Sequence, residues 1–266
     1  MRVYFRELKA YRNSTIIWIV SLSLLVIVIL SMFPSFTKDV EETKKILHNL
    51  PPFMASAAGI SPDIMFSIYG FVSWLLTFVT LAGAVQAMNL GVGILSKEES
   101  GKTADFLLTK PISRQSVVTS KLLAAFSLIL ITNIILCIAT LVMAAVVVDT
   151  DFNITTLMLV LGKLFLIQMI FLALGFLVSV IINRVKSAIA VSLPAAFSFF
   201  IIGTLGVLLG VDSVKYISPF KFFDSDYIIN NNAYDVKFLI VEAVFVLVAV
   251  TLSYIIYVKK DIRAAS

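Results

Sequence analysis

The chain has 266 residues, of which 60% are hydrophobic and 14% are charged, and its mean hydropathy is +1.02. Soluble domains carry about a quarter charged residues, so this composition excludes a disordered chain and argues against a water-soluble enzyme. The single cysteine excludes an internal disulfide, and the single histidine excludes a histidine cluster for a metal. The net charge of +5 fits a nucleic-acid surface or a membrane topology, and the positions of the basic residues distinguish the two.

Six apolar segments are long enough to cross a bilayer, which takes about 20 residues of helix. They cover residues 15–33, 66–95, 122–148, 156–182, 188–210 and 237–258. Backbone groups in lipid must be paired within the segment, so the six are predicted to be helices. The first has an apolar core too long for a signal peptide, which favours an uncleaved anchor. The sequence therefore predicts an all-α integral membrane protein with a single transmembrane domain over residues 1–266.

Basic residues concentrate in alternate loops of this arrangement. Fourteen lie before span one, between spans two and three, between spans four and five, and after span six. The other loops hold five basic residues and ten acidic ones. The positive-inside rule places the fourteen, together with both termini, in the cytoplasm. The excess charge is interpreted as membrane topology and not as a nucleic-acid surface, and the chain is expected in the plasma membrane of a bacterial cell.

Two segments outside the spans have recognisable patterns. Residues 3–12 place Tyr4, Leu8 and Tyr11 on one helical stripe, which predicts an interfacial helix on the cytoplasmic leaflet; the alternative is a basic tail that only fixes orientation. Residues 211–236 crowd five aromatic side chains around Pro219. Aromatic residues favour the membrane interface, so this segment is predicted to be a structured cap on the outer face.

The loop between spans two and three contains Gly101-Lys102-Thr103, as a P-loop does. A P-loop needs its first glycine at position 96, which is Ser96 here, and Glu98 and Glu99 would add negative charge to the phosphate cradle. The chain is therefore expected to lack an ATPase motif and to bind no cofactor itself. The same loop predicts a short amphipathic helix whose apolar side chains need a cover, either the bilayer surface or a cytoplasmic partner. Ser113 is predicted to cap the helix that follows.

From residue 98 to residue 114 the loop reads EESGKTADFLLTKPISR, after a long second span and before a lysine that enters the third. This stretch resembles the coupling loop of type-2 ATP-binding-cassette (ABC) exporter permeases. Ser218-Pro219-Phe220 before span six and Lys259-Lys260-Asp261 after it agree with that family. The resemblance covers essentially the whole chain. It implies a pore made of two permeases, the second identical or paralogous, each carrying an ATPase subunit that binds ATP and Mg²⁺.

The resemblance also assigns roles to individual positions. It implies that the ATPase subunit is contacted by Glu98, Glu99, Gly101, Thr103, Phe106, Leu107, Pro111, Ser113 and Arg114. The family's connecting helix before span one corresponds to residues 3–12, and its re-entrant turns correspond to the cap around Pro219.

Polar and small residues within the spans suggest further sites. Four amides lie in apolar runs and either line a translocation path or form hydrogen bonds between helices: Gln86, Asn89, Asn133 and Gln168. Lys163 and Glu242 lie at similar depth and are predicted to form an ion pair, in one subunit or across a dimer; the alternative is that each extends separately to the interface. Small residues recur at a spacing of four and mark either a dimer interface or packing within one subunit: Gly83, Ala87, Gly91, Ala188, Ser192 and Ala196.

The leading functional prediction is the membrane subunit of an ATP-driven exporter. Short outer loops favour small amphipathic or hydrophobic cargo, such as an antimicrobial or other peptide, a drug or a lipid. The alternative is an ion-gradient-driven secondary transporter or channel, which usually carries several intramembrane carboxylates, whereas Glu242 is the only one well inside a span. A membrane enzyme would need a nucleophile, base or metal cluster at the membrane surface, and the sequence suggests none.

Overall fold

The structure is a computed structural model that describes residues 2–38, 40–51, 54, 64–100, 113–148, 151–182 and 185–259, without the side chains of Arg2, Glu42, residues 97–100 and Asp212. The helices of the described residues are α1 (Arg2–Ser31), α2 (Phe33–Phe36), α3 (Val40–His48), α4 (Ile68–Ser100), α5 (Arg114–Val147), α6 (Ile154–Ile181), α7 (Ile189–Leu208), α8 (Ser225–Asn231) and α9 (Val236–Lys259). Two 3-10 turns, Asp212–Tyr216 and Pro219–Lys221, lie between α7 and α8.

Six stretches of the described chain are helices long and apolar enough to cross a membrane, which confirms the predicted all-α membrane fold. They are Val3–Phe36, Ile68–Ser96, Arg114–Val147, Ile154–Ile181, Ala188–Leu208 and Val236–Lys259. Ser113 caps α5 as predicted, since its hydroxyl accepts a hydrogen bond from the Ser116 backbone N–H at 3.3 Å. Helix α5 begins at this cap and continues into the third span as predicted, because hydrocarbon thickness limits a span and not the helix that contains it.

The N-terminal segment departs from the prediction of a separate interfacial helix. Residues 3–12 form the beginning of α1, which continues without interruption into the first span. The predicted stripe of Tyr4, Leu8 and Tyr11 packs against the core, and Glu7, on the same side of the helix, is 1% exposed. This face of the segment is therefore turned toward the protein, and its contact with a membrane surface stays a prediction.

Helices α4 and α6 form the centre of the bundle. Of their most apolar stretches, 67% and 61% are buried, against 17–33% for the other four spans. Glycines allow the two backbones to approach closely, since a Cβ placed on Gly91 would lie 2.6 Å from the Leu172 carbonyl oxygen and 3.2 Å from the Gly175 Cα. The other spans are arranged around this pair.

The peripheral helices pack on the central pair or on one another. Helix α1 runs along α5, α7 contacts α4, and α9 contacts α6. The small residues of both predicted stripes pack within the chain: Gly83 and Gly91 face α6, and Ser192 and Ala196 of α7 are fully buried. The remaining faces of α1, α5, α7 and α9 expose many large apolar side chains, as expected for helices in contact with lipid or with another membrane subunit.

The segment between α7 and α9 folds back over one end of the bundle, which we call the cap end. Ser218 donates a hydrogen bond to the Phe199 carbonyl oxygen of α7 at 2.8 Å, and Tyr234 donates one to the Leu159 carbonyl oxygen of α6 at 2.6 Å. Phe222 and Phe223 are buried against the helices. The cap is therefore structured as predicted. The opposite end of the bundle, where α4 ends and α5 begins, is called the loop end.

Replacement of Gly91 by alanine tests the close packing of α4 on α6. Gly91→Ala is expected to lower the thermal unfolding midpoint in detergent micelles, because its methyl group would press on backbone atoms that cannot rotate away. Overpacking costs about 1–3 kcal/mol, offset in part by the better helix propensity of alanine. Gly93→Ala is the control, since its nearest neighbour is the movable Tyr11 hydroxyl at 3.1 Å. Equal midpoints for the two variants would contradict the prediction.

Candidate functional site

A hydrogen-bonded cluster of amide side chains joins helices α4, α5 and α6 at the middle of the bundle. Asn133 of α5 donates to the Gln168 Oε1 of α6 at 2.6 Å, and Gln168 Nε2 lies 3.2 Å from Gln86 Oε1 and 3.3 Å from the Gly83 carbonyl oxygen of α4. Gln86 also donates to the Thr132 hydroxyl at 3.1 Å. Because buried amides need partners, this cluster fixes the relative positions of α4, α5 and α6.

The cluster contains three of the four amides that the sequence analysis selected. Gln168 is fully buried, and Gln86 and Asn133 are 4% and 6% exposed. Asn89 lies one turn further along α4, is only partly buried, and is not part of the cluster. The interhelical hydrogen bonds that formed the alternative interpretation are thus present, and a role of these amides in a translocation path stays a prediction.

Lys163 makes its contacts with serine hydroxyls and not with a carboxylate. Its ammonium group donates to Ser225 in α8 and lies 3.5 Å from the Ser73 hydroxyl of α4. No described carboxylate forms an ion pair with it. The predicted pairing with Glu242 within one chain is therefore not formed, because the cap supplies nearer partners. A pairing across a dimer stays a prediction.

Glu242 lies on α9 beside Tyr234. Its side chain is 5% exposed, and its Oε2 has no hydrogen-bond partner among the residues that the structure describes. Tyr234 lies before the span that contains Glu242. Burial, and to a smaller extent the charge of Glu242, raises the pKa of the Tyr234 hydroxyl to about 12. This tyrosine therefore stays protonated near neutral pH and can keep donating its hydrogen bond to α6.

A cavity of about 460 Å³ lies between the cap and helices α4, α6 and α7. Charged side chains of both signs and aromatic rings line this cavity. Burial lowers the pKa of Lys221 in its wall, although the nearby Asp224 carboxylate acts in the opposite direction. Its charged lining residues are Lys163, Lys215, Lys221, Asp224, Asp226 and Asp235, and its aromatic ones include Phe200, Phe220, Phe222, Phe223, Tyr227, Tyr234 and Phe238.

A buried ion pair near the loop end links three helices. The Lys121 Nζ of α5 lies 3.8 Å from the Glu7 Oε1 of α1 and donates a hydrogen bond to the Ile94 carbonyl oxygen of α4. Lys121 is fully buried, although the sequence analysis counted it among the basic residues of the loop. The pair thus joins α1 to α4 and α5, the two helices that residues 101–112 separate in the sequence.

Sequence reasoning missed this pair although a signal for it existed. Glu7 falls between Tyr4 and Tyr11 on the same helical stripe, at a spacing of three and four residues. A carboxylate in an apolar stripe indicates a buried partner, since an unpaired buried charge is costly. The partner was not identifiable from the sequence, because several lysines of the loop qualified equally.

Most residues of the predicted ATPase contact surface lie outside the part of the chain that the structure describes. Gly101, Thr103, Phe106, Leu107 and Pro111 lie outside the described residues, and of Glu98 and Glu99 only the helical backbone at the end of α4 is described. Ser113 and Arg114 begin α5 directly after these residues. The predicted contact of these residues with an ATPase subunit stays a prediction.

Comparison with known proteins decides the family. A family model described as ABC-2 family transporter protein matches residues 1–262. The chain belongs to the ABC-2 transporter family. No curated protein matches it. An ABC-2 family chain is the membrane permease subunit of an ABC transporter and works with an ATP-binding subunit. The six helices agree with this multi-pass placement.

Among the described residues, no group of three or more His, Cys, Asp or Glu side chains is placed to hold a metal ion.

Separate and combined replacement of Glu7 and Lys121 tests the buried pair of the permease. Lys121→Met alone is expected to destabilise the chain by about 3–5 kcal/mol, because it leaves the buried Glu7 carboxylate without its ion-pair partner. Glu7→Gln alone is expected to destabilise the chain too, because the attraction to the Lys121 ammonium group is lost. The double variant is expected to lose less than the sum of the single losses. Thermal unfolding in detergent micelles measures this cycle, with Lys9→Gln on the exposed face of α1 as the control. Additive losses would show that the two charges are not coupled.

Replacement of Gln168 tests the amide cluster. Gln168→Leu removes contacts to Asn133, Gln86 and the Gly83 carbonyl oxygen, and each interhelical hydrogen bond in a membrane protein contributes about 0.6–2 kcal/mol. The thermal midpoint is therefore expected to fall. Asn89→Leu is the matched control, since it replaces an amide of the same bundle outside the cluster. A midpoint equally lowered in both variants would contradict the assigned role of the cluster.

Proposed function

We propose that this permease is the membrane subunit of an ATP-driven exporter that moves a small amphipathic or hydrophobic cargo, such as a peptide, a drug or a lipid, out of the cell. A separate ATPase subunit binds ATP and Mg²⁺ and supplies the energy. The family match over residues 1–262 carries this proposal. Export and the nature of the cargo go beyond that match and rest on the short segments outside the spans and on the lining of the cap.

The loop end provides a route by which ATPase movement would reach the spans. Residues 98–114 connect α4 to α5, and both helices are coupled through Lys121 to Glu7 of α1. A buried ion pair with a backbone hydrogen bond resists separation, so a displacement of the loop moves the three helices together. The same displacement acts on α6, because α4 and α6 pack closely along their length. The loop would then transmit ATP-driven closure to the bundle core.

The peripheral faces support assembly with a second permease, identical or paralogous. Exposed apolar side chains cover α1, α7 and α9, whereas the polar groups of α4 and α6 are turned inward. A translocation route bounded by two copies would use part of these faces. The cap end, with its mixed charges and aromatic rings, fits a cargo that has both a polar and an apolar part.

Charge substitutions in the loop test the proposal. Phe106→Asp or Leu107→Asp in the full chain is expected to reduce co-purification with the ATPase subunit and to lower ATP turnover at least about tenfold, because a carboxylate in an apolar contact costs more than 1.4 kcal/mol. ATP hydrolysis by the purified complex in vesicles is the measurement. The ATPase subunit to co-express is the one encoded beside this chain.

The conservative variant Phe106→Leu is the control, since it keeps the apolar surface and is expected to retain most of the turnover. Ion-gradient-driven transport by the chain alone, with no ATPase bound, would contradict the proposal and favour a secondary transporter. Unchanged turnover in both aspartate variants would contradict the assigned contact surface while leaving the family membership intact.

A further inference from the structure

The cavity at the cap end, whose lining supports the proposed amphiphilic cargo, contains a buried cation. Lys163 is 7% exposed, and its ammonium group contacts only the neutral hydroxyls of Ser225 and Ser73 among the residues that the structure describes. A buried ammonium group is stable when an anion compensates its charge, and a neutral hydroxyl provides hydrogen bonding without that compensation. The cavity is therefore shaped around an incompletely compensated positive charge.

The other charges of the cavity limit which anion fits. Asp224, Lys221 and Asp226 are the charged neighbours that influence Lys163 most. The cavity is lined by three lysines and three aspartates in total, so it has no large excess of either sign. A single negative charge placed at Lys163 would pair directly with its ammonium group. A second negative charge is disfavoured, because the cost of removing the head group from water grows with the square of its charge, whereas its attraction to the lysine grows only linearly.

Apolar side chains line another part of the wall, beside hydroxyl groups of serine and threonine. Ile167, Phe200, Val207 and Phe220 line the cavity beside the charged groups. Ligand cavities typically enclose about 300–1,000 Å³ and combine apolar walls with a few polar groups, and the volume of about 460 Å³ lies in this range. The combination suits a molecule whose charged head is continuous with a hydrocarbon part.

We propose that this cavity binds the monoanionic head group of an amphiphile, a phosphodiester or a carboxylate, with Lys163 as its anchor. The head group accepts hydrogen bonds from the Lys163 ammonium and from the neighbouring hydroxyls, and the first carbons of the chain contact the phenylalanine rings. The site lies within one chain, so binding requires neither ATP nor an ATPase subunit. The inference rests on the proposed function for the amphiphilic nature of the cargo, and its failure would leave the ATP-driven exporter standing while removing the cap's support for such a cargo.

Binding of lysophosphatidylglycerol, a phosphodiester amphiphile with one negative charge, tests the site. The full chain is held in neutral maltoside micelles, and native mass spectrometry gives the affinity of the first bound molecule. Lys163→Gln is expected to weaken this affinity at least about tenfold, since it removes the positive charge that holds the head group and leaves a neutral hydrogen bond in its place. Lys163→Arg keeps the charge and is expected to retain binding within a few-fold.

Lys237→Gln is the matched control, because Lys237 is exposed near the same end of the bundle and does not line the cavity. Equal binding by wild type and Lys163→Gln, or an equal loss in the Lys237 variant, would overturn the proposal. Lys221→Gln, another variant of the wall, is expected to weaken binding too and replaces Lys163→Gln if that variant does not fold.

A second probe distinguishes an amphiphile from a free anion. Inorganic phosphate, which is mostly a dianion at pH 7.5, is expected to compete with lysophosphatidylglycerol only weakly, because its second charge is costly to remove from water and it makes no contact with the apolar side chains of the cavity. Displacement by inorganic phosphate at equal concentration would overturn the assignment to an amphiphile and identify the cavity as a site for free anions.

Discussion

Helices α4 and α6 approach each other so closely at Gly91 and Gly175 that backbone atoms of the two helices are in contact, and the other spans are placed by that contact. In lipid the hydrophobic effect does not bring helices together, because lipid tails are as apolar as leucine side chains. Close packing of small residues and hydrogen bonds between helices take its place. The central pair supplies the first, and the amide cluster around Gln168 supplies the second for α4, α5 and α6.

Polar groups in this bundle are arranged at three levels along the central pair. Near the loop end, Glu7 and Lys121 join α1 to α5 and α4. In the middle, the amides join α4, α5 and α6. At the cap end, Lys163 joins α6 to α4 and to the cap. Each level crosses at least two helices, so the spans are linked through directional contacts and not only through apolar surfaces, which slide more easily.

The cap follows from the same principle. Its backbone leaves helical geometry, so its polar groups must find partners on the spans, and Ser218 and Tyr234 donate to carbonyl oxygens of α7 and α6. The aromatic rings of Phe222 and Phe223 cover the remaining apolar surface. This arrangement leaves a cavity at the junction, where Lys163 meets charges from the cap. The cap is thus both a cover for the bundle and one wall of the cavity.

The apolar runs alone determined that this chain crosses a membrane with six helices, because hydrocarbon thickness sets a minimum length that any sequence must satisfy. The loop motif and the order of the spans were sufficient to predict the permease family that the match over residues 1–262 shows. The amides at positions 86, 133 and 168 could be selected because a polar group in an apolar run needs a partner.

Which polar side chains form hydrogen bonds or ion pairs with one another depended on the tertiary structure. Lys163 could be paired with Glu242 by depth, yet the cap places Ser225 at its ammonium group, and depth along a helix says nothing about the face on which a side chain lies. Lys121 was indistinguishable in sequence from the other lysines of its loop, and only the packing of α1 on α5 brings Glu7 to it. Sequence patterns reflect the free energy of moving each residue into lipid, whereas pairing reflects the relative rotation and approach of whole helices, which many residues determine together.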